Sequence, residues 1–223
     1  MSFWRKVLAI TWKDTLAEIR SREIVSSVLV FVILVIVIFN FAFGSDPSTV
    51  RTVAPGMLWV TFAFAGVLSL NRSFIPEKEE GSLEGMLVAP VSREVVYVGK
   101  MLGSFIFMLA IEAVALPIFV LLFNLEVLSL QLVVVTLLAT LGFVSVGTLF
   151  SALAVNTRAR ELVLPVLFLP IVVPVVIAAV NATESALAGA PWAEMAQWLG
   201  IIGAFDLIFL VVSFLVFGYV IEE

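Results

Sequence analysis

The chain contains no cysteine and no histidine among its 223 residues. Without cysteine there can be no disulfides and no thiol nucleophile, and without either residue the usual zinc ligand sets are excluded. The commonest general acid–base side chain is also missing. The two commonest haem ligands are lost as well, which leaves methionine and tyrosine as candidates. We therefore expect this chain to bind no metal and no cofactor of its own.

Charged residues are also scarce. They make up 13% of the chain against 62% apolar residues, and the mean hydropathy is +1.20. A soluble domain is nearer half apolar and a quarter charged. The net charge of −5 argues against a nucleic-acid-binding protein. Because the apolar residues form long runs without polar faces, the sequence predicts an all-α membrane protein rather than a soluble core.

Six apolar runs have the length of a transmembrane helix. Each is close to the ~20 residues needed to cross ~30 Å of hydrocarbon. The first run is long for a signal peptide and follows more than twenty residues, so we expect it to be retained. Together the runs predict one transmembrane domain over residues 1–223. The predicted spans are residues 24–43, 53–71, 101–123, 131–155, 162–181 and 199–221.

The positions of lysine and arginine predict the orientation. Eleven of the twelve basic residues lie before span one, between spans two and three, or between spans four and five. Only Arg51 lies on the other side. Since positive charge is retained on the cytoplasmic side, both termini are predicted to be cytoplasmic.

Residues 1–22 have the pattern of an amphipathic helix lying in the membrane interface. Apolar and aromatic side chains recur at helical spacing, with basic residues largely elsewhere around the turn. The alternative is a frayed cytoplasmic tail. The apolar set is Phe3, Val7, Leu8, Ile10, Trp12, Leu16 and Ile19.

The link between spans two and three has the signals of a short surface helix. Gly81 interrupts the chain, Ser82 can cap a helix, and Glu84 then lies in the first turn, where the helix dipole favours negative charge. Pro90 ends the pattern. Ser92 can cap a second helix that continues into span three.

This short helix would present a small apolar face. Leu83, Met86 and Leu87 share one side at helical spacing. The acidic run Glu77, Glu79 and Glu80 precedes them, where it can meet basic residues of a partner. The pattern fits a docking helix, and a plain interfacial loop is the alternative.

Two acidic residues fall inside predicted spans. Glu112 lies about 16 Å into span three by helical rise, and Asp206 lies about two turns into span six. Ionisable groups at such depth are costly and are usually functional or paired. The alternative for both is a neutral carboxyl bonded to a serine, threonine or asparagine. If Glu112 faces lipid, we expect it to be protonated.

Spans four and five have distinctive compositions. Span five contains Pro165, Pro170 and Pro174, each of which removes a backbone hydrogen bond, so a kink is expected. These prolines are hinge candidates, with irregular packing as the alternative. Span four carries small residues that permit close helix approach, in this chain or a second copy. They are Gly142, Ser145, Gly147, Thr148, Ser151 and Ala152.

The link between spans two and three, PEKEEGSLEGMLVAPVSREVVYVGKML, resembles that of ABC-2-type exporter permeases. The shared pattern is an acidic run, Gly-Ser/Thr-Leu-Glu, an apolar pair, a proline and a Gly-Lys entering span three. Its residues here are Glu79, Glu80, Gly81, Ser82, Leu83, Glu84, Met86, Leu87, Pro90, Gly99 and Lys100.

Three further features look like the haem exporter protein B family, also called CcmB. They are FW near the start, VAPGMLWV opening span two, and LVLPVLFLPIVVPVVI in span five. The resemblance covers most of the chain and is weakest after Asn181. Glu112 does not match a motif of the family.

The resemblance implies a permease subunit in a bacterial inner-membrane complex for cytochrome c biogenesis. Such a complex exports haem, or uses ATP to release a haem-loaded periplasmic chaperone. ATP is held by an ATPase subunit (CcmA-like), which would dock on the coupling helix between Glu79 and Pro90. Two copies each of permease and ATPase are expected. The other implied partners are a haem-handling membrane protein (CcmC-like), a small accessory protein (CcmD-like) and the haem chaperone (CcmE-like).

Other functions stay open at this point. One is an ABC-2-type permease for a lipid, polysaccharide or drug. Another is an intramembrane enzyme or proton-coupled transporter built on Glu112 and Asp206, although the sequence lacks histidine, cysteine and a clear carboxylate cluster. The chain has no glycine-rich phosphate loop with its lysine, so ATP hydrolysis is expected elsewhere.

Overall fold

A computed structural model describes residues 2–43, 47–71, 73–79, 81, 85, 91–125, 129–155, 157 and 164–221. Within these ranges the chain is almost entirely helical and contains no β-strand. An N-terminal helix, Phe3–Arg20, precedes the first span. A short helix, Ile75–Glu79, follows the second. The all-α class predicted from composition is therefore confirmed.

Six helices in the described part of the chain are long and apolar enough to cross a membrane, which confirms the predicted number of spans. Span five consists of a π-helical turn followed by an α-helix. The spans are Arg22–Phe43, Pro47–Leu70, Arg93–Leu122, Leu130–Val155, Leu164–Leu187 and Trp192–Ile221.

Several helix ends differ from the predicted ones. Span two begins at Pro47, span three at Arg93 and span six at Trp192, rather than at residues 53, 101 and 199. Hydropathy marks only the apolar part of a helix, and these helices continue into polar sequence. A helix of 30 residues is about 45 Å long, so spans three and six extend beyond a ~30 Å hydrocarbon layer.

Span four lies at the centre of the bundle because its small side chains allow neighbouring helices to approach closely. Ser145 and Thr148 are fully buried. A Cβ atom on Gly147 would lie 2.3 Å from Cδ1 of Leu70 in span two, so a larger residue there would require the Leu70 side chain to move. The Ser151 hydroxyl donates a hydrogen bond to the Leu70 carbonyl. These small residues therefore serve packing within this chain.

The three prolines of span five lie at different places in its backbone. Pro165 is inside the π-helical turn Leu164–Phe168, and Pro170 is in the first turn of the α-helix that begins at Leu169. Pro174 is inside that α-helix. The expected irregularity is therefore a change of helix type at Leu169. The hinge role remains a prediction.

Candidate functional site

The N-terminal helix packs against the start of span three at two glycines. A Cβ atom on Gly99 would lie 2.7 Å from the Cβ atom of Ile10, and one on Gly103 would lie 3.1 Å from that of Asp14. The Thr11 hydroxyl lies 3.1 Å from the Gly99 carbonyl oxygen, to which it can donate. Small residues four apart form a groove that lets two helix backbones approach closely. Residues 99–103 therefore provide the seat of the N-terminal helix.

The N-terminal helix has a second apolar face that points away from the protein. Its exposed side chains include Trp4, Leu8, Trp12 and Ile19, and Trp12 is 70% exposed. Val7, which we expected on the lipid-facing side, is instead fully buried. The amphipathic helix is thus confirmed, while its contact with span three was not predicted. The exposed face still suits an interfacial position.

Lys100 is the centre of a buried ionic cluster beside this seat. Its side chain is only 2% exposed. The ammonium donates to the carbonyl oxygen of Ser73 at 2.8 Å and to the carboxylate of Glu77. It also lies 3.3 Å from Asp14 Oδ2 and 4.7 Å from the ring centre of Phe74. Lys100 therefore joins the N-terminal helix, the chain after span two, and span three.

Lys13 completes the cluster from its solvent side. Its ammonium lies 2.9 Å from Glu77 Oε1 and 3.0 Å from Asp14 Oδ1. Burial alone would raise the pKa of Glu77, but the charges and hydrogen bonds of Lys100 and Lys13 outweigh it and lower that pKa. Two cations thus face two carboxylates.

The expectation that Glu77 meets a partner's basic residues is therefore wrong. Glu77 is buried and pairs with lysines of its own chain. The short helix Ile75–Glu79 folds back onto the N-terminal helix and span three, which turns this carboxylate inwards. The sequence alone does not show this, because Glu77 stands in one acidic run with Glu79 and Glu80 and nothing in that run indicates which of the three is buried.

Glu18 lies at the edge of the same cluster. Burial raises its pKa to about 8, and the negative charges of Asp14 and Glu77 add to the rise, against a smaller opposing effect of Lys100. Glu18 is therefore mostly protonated at neutral pH.

The short helix is also tied to span four. The Lys78 ammonium donates a hydrogen bond of 2.8 Å to the carbonyl oxygen of Val155, near the end of that span. At the other end of the link, Ser92 is the N-cap residue of span three, although its side chain makes no capping hydrogen bond. Both ends of residues 80–90 are thus held by the bundle.

The predicted docking helix lies mostly outside the described residues. Of its positions, Gly81 has a left-handed φ of +69°, in keeping with the predicted break, and Gly85 is helical. Glu79 is the last residue of the short helix. The other predicted docking residues, outside the described part, are Glu80, Ser82, Leu83, Glu84, Met86, Leu87 and Pro90.

Inside the membrane region, Glu112 faces the bundle rather than lipid. Its side chain is about 2% exposed, and Glu112 Oε1 accepts a hydrogen bond of 2.7 Å from the hydroxyl of Thr140 in span four. Among the described residues, Oε2 has no hydrogen-bond partner. We expected Glu112 to be protonated if it faced lipid. Because it faces the bundle instead, that expectation does not apply.

Asp206 contacts the opposite side of span four. A Cβ atom on Gly142 would lie 2.1 Å from Asp206 Oδ1, so a larger residue there would require the Asp206 side chain to move. Thr140 and Gly142 are two residues apart, about 200° around the helix, which places the two acids on opposite faces. Asp206 is 5% exposed and has no hydrogen-bond partner in the described chain. Because span six begins at Trp192, Asp206 lies near its middle rather than two turns from its start.

Sequence reasoning missed the ionic cluster as a unit. Its members are far apart in the sequence, so their pairing depends on the N-terminal helix folding back onto span three. The one readable signal was the pair Gly99 and Gly103, whose spacing is typical of close helix contacts. No group of three acidic side chains in the described ranges is arranged to hold a metal ion.

These features define a class of protein. It has six membrane-spanning helices, an N-terminal helix clamped to span three by buried ion pairs, and a link after span two that is anchored at both ends. A family model described as CcmB protein matches residues 5–222. The chain therefore belongs to the CcmB family.

Proteins named Heme exporter protein B align with this chain over most of their length. The chain is 29% identical to Heme exporter protein B of Pseudomonas aeruginosa over 180 residues, which covers 80% of this chain and 81% of the relative. It is 34% identical to the protein of that name from Rhodobacter capsulatus, over 67% of this chain and 69% of the relative. The Escherichia coli K12 protein of that name is 28% identical over 92% of this chain and 90% of its own.

Proposed function

We propose that this chain is the permease subunit of an ABC transporter complex for cytochrome c biogenesis. The observation that carries this proposal is the CcmB family match over nearly the whole chain, with relatives named Heme exporter protein B. The complex exports haem or uses ATP to release a haem-loaded periplasmic chaperone. ATP is hydrolysed on a separate subunit, because the sequence has no phosphate-binding loop.

The geometry supports a coupling role for residues 79–90. Upstream, Glu77 and Lys78 fix the short helix to span three, the N-terminal helix and span four. Downstream, the chain continues through Ser92 into span three. A force applied between these anchors would reach the membrane helices directly. An ATPase bound there would move span three and the N-terminal helix together.

The distribution of basic residues supports an orientation of the bundle. The basic end of the bundle, where the N-terminal helix and the ionic cluster lie, faces the cytoplasm and the ATPase. The links after spans one, three and five then face the periplasm. The other partners are a CcmC-like haem-handling protein, a CcmD-like accessory protein and a CcmE-like haem chaperone. Two copies of this chain assemble with two ATPase subunits in the bacterial inner membrane.

Haem handled by the complex is not expected to bind this chain tightly. The strongest common protein ligands, histidine and thiolate, do not occur in the sequence. The absorption spectrum of the purified chain, mixed with haem without partners, should therefore lack a stoichiometric six-coordinate species. A full-occupancy six-coordinate spectrum would contradict this prediction and point to a methionine or tyrosine ligand.

Affinity purification tests the proposed assembly. A tagged chain, expressed with the genes that neighbour it in its own genome, should retain an ATPase together with cytochrome c maturation proteins. Retention of an ATPase with proteins of lipid, polysaccharide or drug export would instead indicate a different cargo. Recovery of the chain with no ATPase at all, under conditions that preserve known ABC complexes, would contradict the proposal.

A further inference from the structure

The candidate is a small cavity between spans two, three, four and five. It is lined by Trp59 and Phe62, by Met108 and Glu112, and by Thr140 and Phe143, with Ala63 and Val176 completing the wall. Its volume is about 10 Å³, which is room for a single water molecule. Among the described residues that line this wall, Glu112 is the only titratable one.

One oxygen of Glu112 is left without a partner in this cavity. Oε1 accepts the Thr140 hydroxyl at 2.7 Å, but Oε2 has no hydrogen-bond partner among the described residues. A buried polar atom without a partner is unfavourable by about 1–3 kcal/mol, and native structures rarely leave one. The unpaired oxygen and the water-sized space occur at the same place.

We propose that this cavity binds one water molecule and that the water and the Glu112 carboxyl form a proton-binding site inside the bundle. The site binds a proton and a water molecule, and this proposal does not depend on which cargo the complex transports. The carboxyl holds its proton at Oε2 and donates it to the water, and the Thr140 oxygen has a free lone pair to accept from the water. These two groups supply the minimum of polar contacts that a buried water needs.

The surroundings determine which form of the carboxyl is stable. Among the described residues, spans two, four and five line the cavity with uncharged side chains. They are Trp59, Phe62, Ala63, Thr140, Phe143 and Val176. Asp206, the other buried acid, lies on the opposite face of span four. Because no described residue on the cavity wall is a cation, the neutral acid is the form that this site holds.

Two hydrogen bonds made by residues of the cavity wall join different pairs of spans. Glu112 joins span three to span four, and the Trp59 indole N–H donates to the Thr183 hydroxyl of span five at 2.9 Å. A relative movement of these spans would widen the cavity and let more water reach the carboxyl. Proton release from Glu112 is thereby linked to opening of the bundle.

Infrared spectroscopy of the full complex in lipid nanodiscs tests this site. Near neutral pH, the difference between the wild-type and Glu112→Gln spectra should contain the carbonyl stretch of one protonated carboxylic acid, while the bands of other protonated acids such as Glu18 cancel. Asp206→Asn, which alters the other buried acid, is the matched control and should keep the Glu112 band. Thr140→Val should keep the band but move it to higher frequency, because the carbonyl loses a hydrogen bond.

Exchange into D2O tests the water without any substitution. A carboxyl in contact with a water molecule should exchange its proton, and the Glu112 band should shift to lower frequency within minutes. A band that does not shift on that timescale would mean a dry cavity and would overturn the water site. A wild-type spectrum without the band, or one unchanged in Glu112→Gln, would overturn the proton site.

Discussion

Replacing Leu83 and Leu87 together by aspartate should release the ATPase subunit from this chain. If both leucines are buried in a cleft of the ATPase, each contributes about 1.5–3 kcal/mol before the costs of association. Losing both would weaken binding by roughly 10²–10⁴-fold, since ~1.4 kcal/mol is a factor of ten. Co-purification with a tagged ATPase measures the effect, and the ATPase should be absent from the variant's eluate.

A matched control separates loss of docking from loss of folding. Leu83→Met with Leu87→Met keeps apolar bulk at both positions and should retain the ATPase. Membrane insertion should be unchanged in both variants, because both positions fall in the sequence between predicted spans two and three. Wild-type recovery of the ATPase with the double aspartate variant would place the docking surface elsewhere on the chain.

Replacing Lys100 by methionine should destabilise the chain strongly, whereas the same change at Lys13 should not. Lys100 is 2% exposed and pairs with Glu77 and Asp14, so its loss leaves buried carboxylates without their central cation. Breaking a buried pair in this way typically lowers the free energy of unfolding by about 3–5 kcal/mol. Lys13 is 50% exposed, so its ion pairs are screened by solvent and contribute about 0–1 kcal/mol.

The midpoint of thermal unfolding in detergent, followed by size-exclusion chromatography, compares the two lysine variants. Adding Glu77→Gln to Lys100→Met should recover part of the loss, because the carboxylate that lost its cation is then removed. In the double variant, Asp14 keeps Lys13 as its ion-pair partner, with Lys13 Nζ 3.0 Å from Asp14 Oδ1. Equal midpoints for Lys100→Met and Lys13→Met would show that the buried cluster does not hold the N-terminal helix in place.

The number and rough positions of the spans could be predicted because they are properties of whole apolar runs. Their ends could not, since Arg93 and Trp192 begin helices in sequence that is too polar to count as membrane-spanning. The helical register of residues 3–20 was likewise visible in the sequence. Which face of that helix meets protein was not, because Val7 and Leu8 are both aliphatic and only packing separates the buried Val7 from the exposed Leu8.

The candidate site was only partly predictable for the same reason. Glu112 and Asp206 stand out as acids within apolar runs, but their neighbours Thr140 and Gly142 belong to another span. Lys100 was noticed as part of the pattern entering span three, and its partner Glu77 was assigned to the surface. Pairings across helices depend on tertiary packing, which a single sequence does not show.

The content of c-type cytochromes in the native host tests the central claim most directly. Deleting the gene for this chain should abolish covalently bound haem in c-type cytochromes and leave b-type cytochromes unchanged. The wild-type gene should restore the c-type cytochromes, and the variant with aspartate at positions 83 and 87 should not. A deletion strain with normal c-type cytochromes would contradict the proposed role in cytochrome c biogenesis.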